Sequence, residues 1–163
     1  MTKKGKVVIA GAGPGDAGLI TVKALEYIRQ CDVILYDKLV NPELLYECKN
    51  ECEKIFVGKQ AGLHYVTQET TISLLIEKAL SGKLVLRLKG GDPLIFGRGS
   101  EEAIALSEKG IEFEIIPGIT AGQGASAYAG LPLTHRNIVT QTVFVTAHES
   151  PDKSQSQVDW ELL

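Results

Sequence analysis

Short, nearly unbroken apolar runs alternate along the chain with stretches whose apolar residues recur every three or four positions. Lys6–Ala10, Asp32–Tyr36, Lys54–Val57, Leu84–Leu88 and Phe113–Ile116 are runs of the first kind. A strand that is apolar on both faces is covered on both, so these runs predict an α/β fold: a five-stranded, largely parallel sheet flanked by helices. In the first crossover Leu19, Val22, Leu25 and Ile28 fall on one side of a helix and leave Lys23, Glu26 and Arg29 for water. Asn41-Pro42-Glu43 offers a cap, a first-turn proline and a first-turn acid, which predicts a second helix. Thr67 can cap a third, with Ile72, Leu75, Ile76, Ala79 and Leu80 as its stripe and Gly82 as its stop. A fourth runs from Ser100 to Lys109-Gly110 with Glu101 and Glu102 in its first turn. The Ala- and Gly-rich stretch Thr120–Gly130 suits a helix packed closely against another backbone.

After Leu131-Pro132-Leu133 the regular alternation ends. Thr142–Thr146 reads as a strand without a later partner, residues 149–158 are polar, and Asp159–Leu163 resembles a capped helix cut off after one turn. The expected organisation is an α/β domain over residues 1–136, then a linker and the incomplete start of a second α/β domain over 137–163. A length of 163 residues agrees, being close to the ~150 expected of one domain.

Composition narrows the function. With 17 basic against 20 acidic residues the net charge is -3, too little positive charge for broad phosphate-backbone binding, so nucleic acid is a poor partner. No run approaches the ~18 apolar residues of a membrane span. Three cysteines and no secretory start fit a reducing, cytoplasmic setting. Cys48 and Cys52 can sit one helical turn apart, but two thiols without a nearby Cys or His pair make a poor zinc site, and no metal is expected.

Ligands of open parallel sheets gather beyond the carboxyl ends of the strands. The first strand leads into Gly11-Ala12-Gly13-Pro14-Gly15-Asp16, where glycines let backbone approach a ligand. A dinucleotide fingerprint needs a third glycine where Asp16 stands, although Asp37 resembles the ribose-binding acid of that fold. A nucleotide-binding module without catalysis therefore stays open. Asp37 and Lys59 end the second and third strands and form either a proton-transfer pair or a rim salt bridge. The fourth strand opens into Arg87–Gly99, whose density of glycine, charge and aromatic is costly for a mere connection.

The stretch Arg87–Gly99, together with Gly11–Asp16, Tyr36–Lys38, Val57–Lys59, Pro117–Thr120 and Leu131–Arg136, resembles the uroporphyrinogen-III C-methyltransferase family from about Lys6 to His148. The resemblance implies a class III tetrapyrrole methylase fold. It also implies a cytoplasmic, homodimeric enzyme that uses S-adenosyl-L-methionine to methylate carbons 2 and 7 of uroporphyrinogen III, giving precorrin-2 for sirohaem and cobalamin. S-adenosyl-L-homocysteine would be the second product, and no metal is needed. Carried over position by position, Pro14, Gly90, Gly91, Asp92, Ile95, Thr120 and Ala121 would hold the methyl donor, and Asp37 and Lys59 would accept and donate protons. Arg98, His135 and Arg136 are expected to bind the substrate's carboxylates, and His135 is the best placed of the three histidines, His64 and His148 being the others. The chain departs from the family in having Gly58-Lys59-Gln60 for Gly-Lys-Arg and Thr146-Ala147-His148 for Thr-Gly-His. Family members also continue through most of another domain, so the 163-residue chain alone is expected to be inactive. A different tetrapyrrole or diphthine-type methylase of the same fold is the nearest rival reading.

Overall fold

Five strands form from the five apolar runs, and the computed structural model, which describes residues 4–58, 66–146 and 158–161, joins them in one sheet. They are β1 (Lys6–Gly11), β2 (Val33–Tyr36), β3 (Glu53–Phe56), β4 (Leu84–Lys89) and β5 (Glu112–Ile116). The spatial order is β3-β2-β4-β1-β5 and every pairing is parallel. β1 lies between β4 and β5, with Lys6 in register with Leu84 on one side and Glu112 on the other.

Three helices among the described residues cover the two faces, α1 (Val22–Gln30), α2 (Gln68–Leu80) and α3 (Gly99–Glu108), and a fourth, α4 (Ala121–Ala129), follows β5 and is mostly exposed. Successive strand residues point to opposite faces. Val8, Ala10, Ile34, Leu86 and Leu88 pack with Ala24 and Ile28 of α1 and with Leu44. Val7, Ile9, Leu35 and Val85 pack with Leu75 and Ala79 of α2 and with Ala103 and Leu106 of α3.

Caps explain where the helices begin. Asp16 caps a 3-10 turn at Ala17–Leu19, and the Thr21 hydroxyl then accepts from the Ala24 N–H to start α1 afresh. Leu19 and Val22 therefore do not share a helix face; Val22 is 75% exposed, and Ala24 and Ile28 face the core. Lys23 pairs with Glu114 of β5 rather than facing water alone. Asn41 caps as expected, but Pro42–Glu47 is a 3-10 helix. Thr67 caps α2 through the Thr70 N–H, and Gly82 follows it with φ of 84°. The stripe of α2 is turned by about one residue, because Thr71 is buried with Leu75 and Ala79 and Leu80 is exposed.

Beyond α4 two expected elements do not form. Thr142–Thr146 has strand-forming residues but no neighbour to pair with, and it runs as irregular chain. The Asp159 carboxylate accepts from the Glu161 N–H, but the chain there makes a turn and no helix among the described residues.

Candidate functional site

Strand order decides where a site can sit. The chain leaves β1 towards β2 on one side and leaves β4 towards β5 on the other, so neighbouring β1 and β4 send their loops in opposite directions, which opens a crevice at the carboxyl edge. The two loops are stitched where they part: the Gly13 N–H donates to the Gly91 carbonyl at 3.2 Å and the Gly91 N–H returns to Gly13 at 2.7 Å. A Cβ on Gly11 would stand 2.4 Å from the Gly91 carbonyl oxygen and 2.6 Å from Gly118 Cα. Only glycine allows three backbones so close.

A cleft of about 540 Å³ opens beside this knot, a volume suited to a small-molecule ligand. Its lining includes Asp37, Arg87, Lys89, Gly90, Gly91, Asp92, Ile95, Arg98, Thr120 and Ala121. The structure thus brings together most of the expected donor-binding residues, with Asp37 and Arg98. Pro14 does not line the cleft; it supports α4, since a Cβ on Gly124 would lie 2.6 Å from Pro14 Cγ. His135 and Arg136 do not line it either, being exposed in a turn where the His135 Nδ1 lies 2.8 Å from the Arg136 carbonyl oxygen. Lys59, His64 and His148 lie outside the described residues. A second hollow of about 450 Å³ along α4 and Leu131–Leu133 holds no ionisable side chain.

The Gly90–Gly99 loop is coiled around Asp92. One carboxylate oxygen of Asp92 accepts from the N–H groups of Leu94 and Ile95, the other from the Gly118 N–H at 3.0 Å. The Asp92 carboxylate, expected among the residues that hold the donor, thereby ties the β4 loop to the β5 loop. Phe96 and Arg98 both take positive φ, 53° and 57°. Left-handed backbone at two side-chain-bearing residues is strain that the surrounding bonds must hold. The Arg98 guanidinium forms a two-pronged pair with Glu101, which holds that carboxyl below its usual range.

A buried ionic network underlies the cleft. Arg87 and Lys89 share the face of β4 that meets α3, and there the Glu102 Oε1 accepts from Arg87 Nε at 3.1 Å, Lys89 Nζ at 3.0 Å and Gln68 Nε2 at 3.2 Å. Its other oxygen is buried and has no partner among the described residues. Arg87 also reaches Asp37, Nη2 to Oδ2 at 3.3 Å, and donates to the Leu88 carbonyl. Two cations are thereby set against two carboxylates, which is how charge is tolerated away from water. Burial, aided by the neighbouring Arg87 guanidinium, pulls the Lys89 ammonium below the usual lysine range. Asp37, whose other oxygen accepts from the Leu39 N–H, lines the cleft with Arg87 and Lys89 and is more exposed there than either.

Sequence reasoning placed Arg87 and Lys89 inside a loop signature and Glu102 in a helix's first turn, and it missed their union. The available signal was spacing: in Leu84-Val85-Leu86-Arg87-Leu88-Lys89 the two cations alternate onto the face of buried Val85, where each needs a partner. Asp16 is not a ligand-facing charge; it accepts from the Tyr128 hydroxyl and the Gly18 N–H, which keep its carboxyl below its ordinary value.

Residues 6–163 match the family model described as Tetrapyrrole (Corrin/Porphyrin) Methylases. The chain is 52% identical over 159 residues to a siroheme synthase 2 of Yersinia pestis (strain Pestoides F), covering 98% of this chain and 33% of that protein. It spans about a third of the length of the curated relatives it matches. Among solved structures, uroporphyrin-III-C-methyltransferase from Thermus thermophilus is 45% identical with a TM-score of 0.72, covering 82% of this chain and 56% of that one. A uroporphyrin-III C-methyl transferase of the same organism complexed with S-adenyl homocysteine is 41% identical with a TM-score of 0.66, covering 82% and 51%.

Proposed function

The chain belongs to the tetrapyrrole (corrin/porphyrin) methylases, and on that premise we propose that it is the donor-binding part of an S-adenosyl-L-methionine-dependent methyltransferase acting on uroporphyrinogen III. Carbons 2 and 7 are the positions methylated, and precorrin-2 is the product. The observation that carries this reading is the cleft itself: glycine backbones from β1, β4 and β5 converge beside a carboxylate held by a buried arginine. Relatives named siroheme synthase and uroporphyrin-III C-methyltransferase, one of them with S-adenyl homocysteine bound, support it.

The residues present fit the donor. Gly91 has φ of 66° and open space where a Cβ would be, so its backbone can lie against a ligand, and Gly90, Ile95, Thr120 and Ala121 line the same cleft. When bound, the donor supplies an electrophilic methyl group. The protein's work is alignment and exclusion of water, which can account for ~7–11 kcal/mol of barrier. Asp92 fixes the loop over the cleft through three backbone N–H groups. Asp37, oriented by Arg87, is the acceptor for the proton that the methylated ring must lose. Lys59 is the proton donor, and Arg98, His135 and Arg136 anchor the substrate's carboxylates. Residues 137–163 open a second domain that brings His135 and Arg136 to the cleft. The complete protein works as a cytoplasmic homodimer; exposed Leu131, Ile138 and Val143 leave apolar surface for such contacts, and no helix among the described residues is long and apolar enough to cross a membrane.

Calorimetry with S-adenosylhomocysteine tests the placement. Asp92→Ala removes bonds worth ~1–3 kcal/mol each and should weaken binding at least about tenfold, while Asp16→Ala should change it little. Equal or reversed losses would overturn the assignment, and tighter binding of a dinucleotide than of S-adenosylhomocysteine would favour a nucleotide-binding module.

A further inference from the structure

Away from the cleft, under the opposite face of the sheet, the fold gathers all three cysteines. Cys31 is the C-cap of α1 and fully buried, Cys48 ends the 3-10 helix, and Cys52 follows a turn in which its N–H donates to the Lys49 carbonyl. Their sulfurs all lie within 4.8 Å of one another, and the Cys31–Cys52 pair is 3.6 Å apart. All three are free thiols.

Buried cysteine often serves only as a small apolar side chain. Three that arrive from separate elements and converge within one bonding span offer more. An ion bound at ~2.3 Å from each sulfur requires sulfurs about 4 Å apart, and the observed spacing is already near that. Among the described residues no histidine, carboxylate or fourth thiol joins the group. Charge then selects the guest. Three thiolates around a monovalent or divalent ion leave a net negative charge in a pocket made with Ala24, Ile28, Ile34 and Leu44, which is costly, and zinc would also lack its fourth ligand. Around a trivalent centre the complex is neutral.

We infer that Cys31, Cys48 and Cys52 form a binding site for a trivalent, thiol-seeking metalloid of the arsenite class, held as a neutral tris-thiolate. Binding is a condensation: three S–H and three As–O bonds break, three S–As bonds form, and three waters leave. Arsenic stays trivalent, so no oxidant or reductant enters. Cys48 and Cys52 are each 8% exposed and give the entry. Hydrogen bonding within the cluster holds the Cys48 thiol at about 7, which supplies an attacking thiolate, while the bond to Cys48 and burial push Cys31 up. The bound centre would tie the end of α1 to the segment leading into β3.

The test uses the 163-residue chain, kept reduced with a phosphine, and sodium arsenite. Native mass spectrometry should show one arsenic gained with three protons lost, and alkylation after denaturing should find no reactive thiol. The melting temperature should rise with arsenite, as ligand binding to the native state requires. Cys31→Ala, Cys48→Ala and Cys52→Ala should each weaken binding about tenfold or more, because the third bond is an intramolecular one. Loss of only one or two protons in the unaltered protein, undiminished binding in any of the variants, or capture of cuprous ion in preference to arsenite would overturn the inference. The stoichiometry of the unaltered chain decides the matter even if a variant folds poorly.

Discussion

The two faces of β4 are built in different ways. Leu86 and Leu88 look towards α1 and the 3-10 helix into a core that stays apolar up to Leu88 and holds the three thiols towards the amino edge of the sheet. Val85, Arg87 and Lys89 look the other way, and there the core turns ionic as the strand nears the cleft. One strand thus serves packing on one side and charge placement on the other. Buried ion networks stabilise weakly relative to apolar packing, since desolvation offsets most of the attraction. That Glu102 is fully buried with two cations is better explained by what the network presents, an oriented Asp37 at the cleft, than by stability.

Breaking the ionic face should have the largest effect. Glu102→Ala leaves Arg87 and Lys89 without their buried counter-charge and should cost ~3–5 kcal/mol in urea unfolding. The combined change Arg87→Met, Lys89→Met and Glu102→Leu should recover most of that loss, while methyl transfer by the complete protein should be impaired because Asp37 loses the arginine that orients it, which separates the network's two roles. Full stability in the single variant would show that the network is solvated and the contrast between faces false.

On the apolar face a conservative truncation sharpens the comparison. Ile34→Val should cost only ~0.5–1.5 kcal/mol, with donor binding unchanged. A binding defect there would mean that both faces feed the cleft.

The smallest effect belongs to an ion cluster at the sheet edge. Lys23, Lys6 and the Tyr27 hydroxyl hold the Glu114 carboxyl down from 4.5 to about 2. A depressed folded value contributes stability that is present above the unfolded value and lost as pH falls from about 4.5 towards 2. Melting temperatures at pH 6 and pH 3 should therefore differ less in Glu114→Gln than in the unaltered chain; an equal acid shift in both would remove Glu114 from the account.

Most of the sheet was legible because the central strands β1, β2 and β4 are buried on both faces and so read as apolar runs, while the edge strands β3 and β5 are only partly covered. Helix phase was less so. A stripe counted from Leu19 through Val22 assumed one helix, and only the separate caps at Asp16 and Thr21 show two elements. Thr142–Thr146 has the composition of a strand, but a strand is a pairing, and composition says nothing about partners. In the cleft, the loops after the strands were readable from their glycines, whereas the union of Glu102 with Arg87 and Lys89 was not: period two gives the face of a strand residue, not which distant helix residue will meet it. The thiol cluster was hidden for the same reason, since Cys31 lies far in sequence from Cys48 and Cys52.

The order β3-β2-β4-β1-β5 also sets a timetable for the nascent chain. Of the five strands of this sheet β1 is made before the others, yet its neighbours are β4 and β5, and β2 touches β4 rather than β1. No hairpin or early pair can shelter Val7 to Ala10 as they leave the ribosome. At ~5–20 residues per second, the roughly 78 residues between the register partners Lys6 and Leu84 take about 4 to 16 seconds to appear. Throughout that interval the most buried strand of the finished protein is an apolar segment with nothing to join, open to chaperones and to other unfinished copies on the same message.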